Sequence, residues 1–138
     1  MFDKNINTLC FSGGGTKGLV FIGGVKALLD NNIIQLNNIN KFIGTSAGSI
    51  FAFLLSIGYT PLEVEEFVLS FDFKKLEPNI NCDNLFVNYG LDDGKSLMIM
   101  LSMMLNHKIN KYHITFKELH EITKKELIIS ATCIINSK

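Results

Sequence analysis

A chain of 138 residues with 47% hydrophobic content is long enough for one domain with a buried core and too apolar for a disordered segment. Its 13 basic residues balance its 13 acidic ones and all of them are lysines, so arginine forks for phosphate or carboxylate are absent and no basic stripe marks a nucleic-acid surface. The amino terminus lacks the basic region and apolar stretch of a signal peptide, and the longest apolar runs, 50–57 and 97–105, fall short of the about 20 residues that span a bilayer; an intracellular protein, soluble or peripherally membrane-associated, is expected.

Thr8-Leu9-Cys10-Phe11-Ser12 is a short apolar run ending in Gly13-Gly14-Gly15-Thr16-Lys17-Gly18, which reads as a buried strand entering a glycine loop. Leu19, Ile22, Val25, Leu28 and Leu29 then recur at helical spacing, and Asp30-Asn31-Asn32 ends the pattern. The run from Ile39 to Ile43 is a second strand that delivers Gly44-Thr45-Ser46-Ala47-Gly48 at its carboxyl end. Strand, crossover helix and strand form a βαβ unit, and its right-handed form places the glycine loop and Ser46 at the same edge of a parallel sheet.

Ala47 to Ile57 is almost wholly apolar and reads as a buried helix, with Gly58 just past its end. Thr60-Pro61-Leu62-Glu63 is a capping box with proline at the first helical position, and Val64, Phe67 and Val68 mark the inward face. Between Ser70 and Gly90 no period is evident, so an irregular excursion is expected. Asp92 or Asp93 can cap a helix through Leu97, Met100, Leu101, Met104 and Leu105 to His107. This methionine-rich helix reads either as a core helix or as the lining of an acyl-chain channel or membrane contact, since Met adapts to irregular apolar ligands. Thr115-Phe116-Lys117-Glu118 is a second capping box, opening a helix that ends at Lys124-Lys125. Residues 127–135 are nearly continuously apolar and β-rich, the pattern of a strand buried on both faces. Cys10, Cys82 and Cys133 lack metal-ligand spacing and read as reduced thiols in or near the core.

A serine within GxSxG at a strand-to-helix turn is a nucleophile elbow, because the glycines allow a sharp turn that exposes the hydroxyl. Ser46 is the candidate nucleophile, and its amide and that of Ala47 open a helix where donors and dipole favour negative charge. A glycine-rich turn without chemistry is the competing reading. Gly13-x-Gly15-x-x-Gly18 also satisfies the dinucleotide fingerprint, but the second strand ends in Gly44-Thr45-Ser46 where a Rossmann site needs an acidic residue. A P-loop fails on spacing, since Gly18 follows Lys17. What the loop can do is present backbone N–H groups of Gly13, Gly14 and Gly15 to an oxyanion, which side chains would obstruct. An α/β-hydrolase triad would run Ser, acid, His; Asp92 or Asp93 with His107, His113 or His120 has that order, yet these aspartates read as caps and these histidines as exposed helix or loop residues. No histidine pair has HExxH spacing, so no metal is expected.

The chain resembles the amino-terminal part of the patatin-like phospholipases. The resemblance rests on Gly13-Gly14-Gly15-Thr16-Lys17-Gly18 as the oxyanion loop and Gly44-Thr45-Ser46-Ala47-Gly48 as the nucleophile elbow, on consecutive strands with one helix between. Gly58-Tyr59-Thr60-Pro61, Gly90-Leu91-Asp92-Asp93-Gly94 and Thr115-Phe116-Lys117-Glu118-Leu119 also look like family features, so residues 1–138 are expected to form one patatin-like domain. The resemblance implies an α/β three-layer sandwich with a mainly parallel central sheet. It also implies a Ser–Asp dyad that cleaves fatty acyl esters of phospholipids or lysophospholipids without cofactor or metal. Lys17 would hold the loop or meet a phosphate, or stand solvated.

The family's aspartate lies in a DGG or DGA turn beyond the strand at 127–135, and no such turn occurs here. Asp93-Gly94-Lys95 lacks the third small residue and comes at the wrong point in the order, so the base is expected to be missing and the chain alone to be inactive. A non-catalytic lipid-binding or interaction fragment of the same fold is the alternative. Transient membrane-surface contact and self-association through an exposed sheet edge are further expectations.

Overall fold

The computed structural model describes residues 6–72 and 93–133. The chain divides into two compact units, one of residues 1–68 and 114–138 and one of residues 69–113.

The first unit is built on three parallel strands, β1 (Thr8–Phe11), β2 (Lys41–Thr45) and β3 (Glu126–Ser130), in the order β1-β2-β3. Phe11 lies opposite Gly44 and Thr45 opposite Ser130, so all three strands end at one edge of the sheet. Helix α1 (Val20–Asp30) is the crossover between β1 and β2, preceded by a 3-10 turn at Gly15–Leu19. Its Ile22 and Val25 are buried at helical spacing, while Leu19, expected on that inward face, is exposed because it belongs to the tighter turn before the helix.

Helix α2 (Ala47–Ser56) packs on all three strands. Its near-continuous apolar sequence is explained by the burial of Phe51, Ala52, Leu54 and Leu55, and Ser56 is satisfied there by donating from Oγ to the Phe53 carbonyl at 2.7 Å. The expected caps hold. Gly58 takes φ 98°, a value glycine adopts at no steric cost. The Thr60 amide donates to Glu63 Oε2 at 2.8 Å and the Glu63 amide to Thr60 Oγ1 at 3.3 Å, opening α3 (Pro61–Ser70) over a fully buried Val64. Thr115 and Glu118 make the same reciprocal pair, at 2.9 and 3.2 Å, before Phe116–Thr123.

The strand readings need three corrections. The third strand covers Glu126–Ser130, and it is largely exposed, with Leu127 alone half-buried; among the described residues α2 and the Phe116–Thr123 helix contact it without burying both faces as a doubly buried strand requires. Cys10 is exposed because β1 alternates, sending Leu9 and Phe11 inward and Cys10 to the other face. Cys133, past the end of β3, is exposed too. Cys82, Asp92, most of the stretch between Ser70 and Gly90, and the end of the expected strand at 127–135 lie outside the described residues.

Lys125 anchors the start of β3. Its ammonium donates to the carbonyls of Leu36, at 3.3 Å, and of the fully buried Ile39, and burial pushes its pKa below the ordinary lysine value. Removing the ammonium takes its donor from the buried Ile39 carbonyl, so Lys125→Met is expected to destabilise the unit by about 1 kcal/mol, read by urea unfolding at neutral pH. Because the folded pKa is depressed, the unfolded chain holds the extra proton between that value and the ordinary one, and wild-type stability gains from this group as pH rises through the window.

The described part of the second unit contains a fourth helix, α4 (Lys95–Ile109), which runs past the expected end at His107. Its N-cap is Gly94 at φ 70°, and Asp93 supports the start from one residue earlier, its Oδ1 accepting from the Lys95 amide at 3.0 Å. Met104 and Leu105 are buried, whereas Met98 is 56% and Met103 62% exposed, so the methionines do not form the single inward face of a core helix. No helix among the described residues is long and apolar enough to cross a membrane.

Candidate active site

Ser46 sits between β2 and α2 with φ 53° and ψ −126°. A non-glycine residue in that region costs about 1–3 kcal/mol and persists only where its surroundings enforce it. The enforcement is visible on both sides of the turn. A Cβ on Gly44 would stand 2.5 Å from the Cα of Ser49 and against the carbonyl of Gly48, and one on Gly48 would stand 2.5 Å from the Phe11 carbonyl oxygen and against that of Ser12. The elbow is therefore folded tightly on itself and pressed onto the end of β1, which only hydrogen in place of two side chains allows. Ser49 closes the turn, its Oγ and its amide both donating to the Ser46 carbonyl at 2.5 and 2.8 Å.

The glycine loop lies beside this elbow. A Cβ at Gly13 would be 3.5 Å from the Cβ of Ser46, and one at Gly18 would be 3.1 Å from the Cβ of Ala47. Gly13, Gly14 and Gly15 thus run from the end of β1 past Ser46 into the 3-10 turn, with Gly15 at φ 53° and the Lys17 amide donating to the Gly14 carbonyl at 3.1 Å. Phe11 of β1, Phe21 of α1 and Phe51 of α2 form a cluster with ring centroids 5.4, 5.6 and 5.9 Å apart. Phe21 would also touch a Gly18 Cβ, at 3.6 Å. Sequence periodicity marks Phe11 and Phe51 as apolar but not as neighbours, since their meeting depends on three elements packing together.

The arrangement brings together Gly13, Gly18, Ser46 and Ala47 as expected, with Ser46 and Thr45 exposed and Gly44 and Gly48 buried. A hydroxyl held out on a strained turn, beside a glycine loop and the first turn of a helix, can attack an electrophile whose developing negative charge meets backbone donors. The Ser46 hydroxyl forms no hydrogen bond with the described residues. Asp93 is exposed and ion-paired with Lys95 at 2.6 Å, and the hydrogen bond from Lys95 lowers its pKa, making it a weaker proton acceptor. His107 and His113 are exposed, and exposed His120 has its Nδ1 3.1 Å from the Lys125 carbonyl oxygen.

The patatin-like phospholipase family model matches residues 9–135. A probable lipid hydrolase, 463L of Invertebrate iridescent virus 6, is 37% identical over 140 residues, covering 98% of this chain and 46% of that protein. The uncharacterized protein R571 of Acanthamoeba polyphaga mimivirus is 30% identical over 132 residues, covering 94% of this chain and 43% of its own length. The chain thus spans less than half the length of these two relatives. Among solved structures, that of the type III effector protein ExoU matches with TM-score 0.47 and 24% identity, over 78% of this chain and 21% of the other.

Proposed function

Since the chain belongs to the patatin-like phospholipase family, we propose that it carries the nucleophile and oxyanion parts of a serine lipid acyl hydrolase acting on phospholipid or lysophospholipid esters. The observation that carries this reading is the strained Ser46 turn with Gly13 against it. In the proposed reaction a base takes the Ser46 proton as Oγ attacks the ester carbonyl, and amides of Gly13, Gly14 and Gly15, with those of Ser46 and Ala47, hold the oxyanion. The tetrahedral species collapses with loss of the protonated alcohol, leaving an acyl-enzyme that water hydrolyses. The base proposed is the family's aspartate, from a DGG or DGA turn outside these residues, and the role is not transferred to Asp93.

A serine hydroxyl without a proton acceptor is a weak nucleophile at neutral pH. The 138-residue chain is accordingly expected to turn over a p-nitrophenyl ester no faster than its own Ser46→Ala variant. Joined to the aspartate-bearing segment it should show a Ser46-dependent burst and steady turnover. Rapid Ser46-dependent turnover by the 138 residues alone would mean that they contain their own base, with Asp93 the first residue to replace.

A further inference from the structure

The segment leading out of the glycine loop has a character the hydrolase chemistry does not require. Leu19 is 46% and Val20 70% exposed, although each follows within two residues of Gly18, on which a Cβ would stand 3.1 Å from the Cβ of Ala47 beside the nucleophile. Lys17, also exposed, forms no ion pair with the described residues. The other lysine of this stretch, Lys26, is paired with Glu65 at 2.5 Å, and no acidic residue occurs between Asp3 and Asp30. A cation on the short turn that leaves the glycine loop and two exposed aliphatic side chains where that turn enters α1 have the chemistry of an interfacial contact, with apolar groups entering the acyl boundary and ammonium at the level of the headgroup phosphates.

We propose that Lys17, Leu19 and Val20 form a docking point for an anionic lipid surface that sets the glycine loop and Ser46 at the membrane interface. The proposal rests on the lipid-ester reading and adds the surface from which the ester is taken. The lack of acidic residues in this stretch of sequence and of an ion pair between Lys17 and the described residues favours an anionic surface over a neutral one, because the charge of Lys17 then adds attraction.

Vesicle co-sedimentation of the full chain tests it, with phosphatidylcholine vesicles made with and without phosphatidylserine. Wild type and Ser46→Ala should partition alike and prefer the phosphatidylserine vesicles. Leu19→Glu/Val20→Glu should bind about tenfold less, the effect of losing partial burial of two aliphatic side chains, and Lys17→Ala should lose the preference for phosphatidylserine. Both changes fall on exposed residues, so circular dichroism should report an unchanged fold. Equal binding by the double glutamate variant overturns the proposal. So does binding lost in Met98→Glu/Met103→Glu and kept in Leu19→Glu/Val20→Glu, which moves the contact to α4. A wild-type chain that ignores vesicles but dimerises through Leu19 and Val20 assigns the patch to a second copy and likewise overturns it. Binding is read without turnover, so a chain that docks but carries no Ser46 chemistry counts against the hydrolase reading alone.

Discussion

Gly44→Ala and Gly48→Ala should each cost about 3 kcal/mol of stability, a large fraction of the 5–15 kcal/mol available to a domain of this size. The added methyl groups would meet backbone, at 2.5 Å from Ser49 Cα in one case and 2.5 Å from the Phe11 oxygen in the other. Backbone cannot swing aside as the end of a flexible side chain can, so α2 would have to lift from β1 and β2 and give up part of the burial of Phe51 and Ala52. Gly23→Ala is the comparator, because a Cβ there meets nothing within 4 Å in the middle of α1. It should gain up to about 1 kcal/mol from helix propensity. Urea unfolding of the three variants reads the contrast directly; equal, small effects at all three positions would show that the elbow is not pressed onto β1.

The second large effect concerns Ser46 and separates stability from chemistry. A serine at φ 53° and ψ −126° stores strain that glycine would not, so Ser46→Gly should raise stability by about 1 kcal/mol after the entropy cost of glycine is subtracted. Ser46→Ala keeps the Cβ and should leave stability nearly unchanged. Both should abolish the activity of a chain that includes the base, by at least about ten-thousand-fold, since removing the nucleophile of a serine hydrolase leaves only binding and the oxyanion donors. A turn without chemistry would have no reason to retain the strain, and a gain in stability together with a loss of activity in Ser46→Gly would identify Ser46 as a residue held at a cost for function.

Much of this site was legible in the sequence because its constraints are local. Glycines at 13, 14, 15, 44 and 48 speak for backbone geometry wherever they fall, and Thr60 with Glu63 and Thr115 with Glu118 carry their hydrogen-bond partners three residues away. The reasons for two of the glycines were not legible. Gly48 is required by the end of β1, and Gly18 is crowded by Ala47, contacts between segments that only the fold brings together. Burial failed for the same reason. The apolar run that begins at Leu127 reads as doubly buried, but whether a strand is covered depends on elements elsewhere, and β3 is exposed at Ile128 and Ile129 among the described residues. Leu19 fits the helical period of α1 yet stands outside it, because the glycine loop enters the helix through a 3-10 turn.

Covalent capture of the nucleophile tests the central proposal most directly. The chain joined to the aspartate-bearing segment is treated with a fluorophosphonate, digested, and the adduct mapped by mass spectrometry. The account predicts modification of the peptide containing Ser46 and none in Ser46→Ala. Ser49 should stay unmodified because its Oγ is engaged with the Ser46 carbonyl. Label that persists in Ser46→Ala, or that maps to Ser12 or to Ser130 beside Thr45 at the same sheet edge, would contradict it.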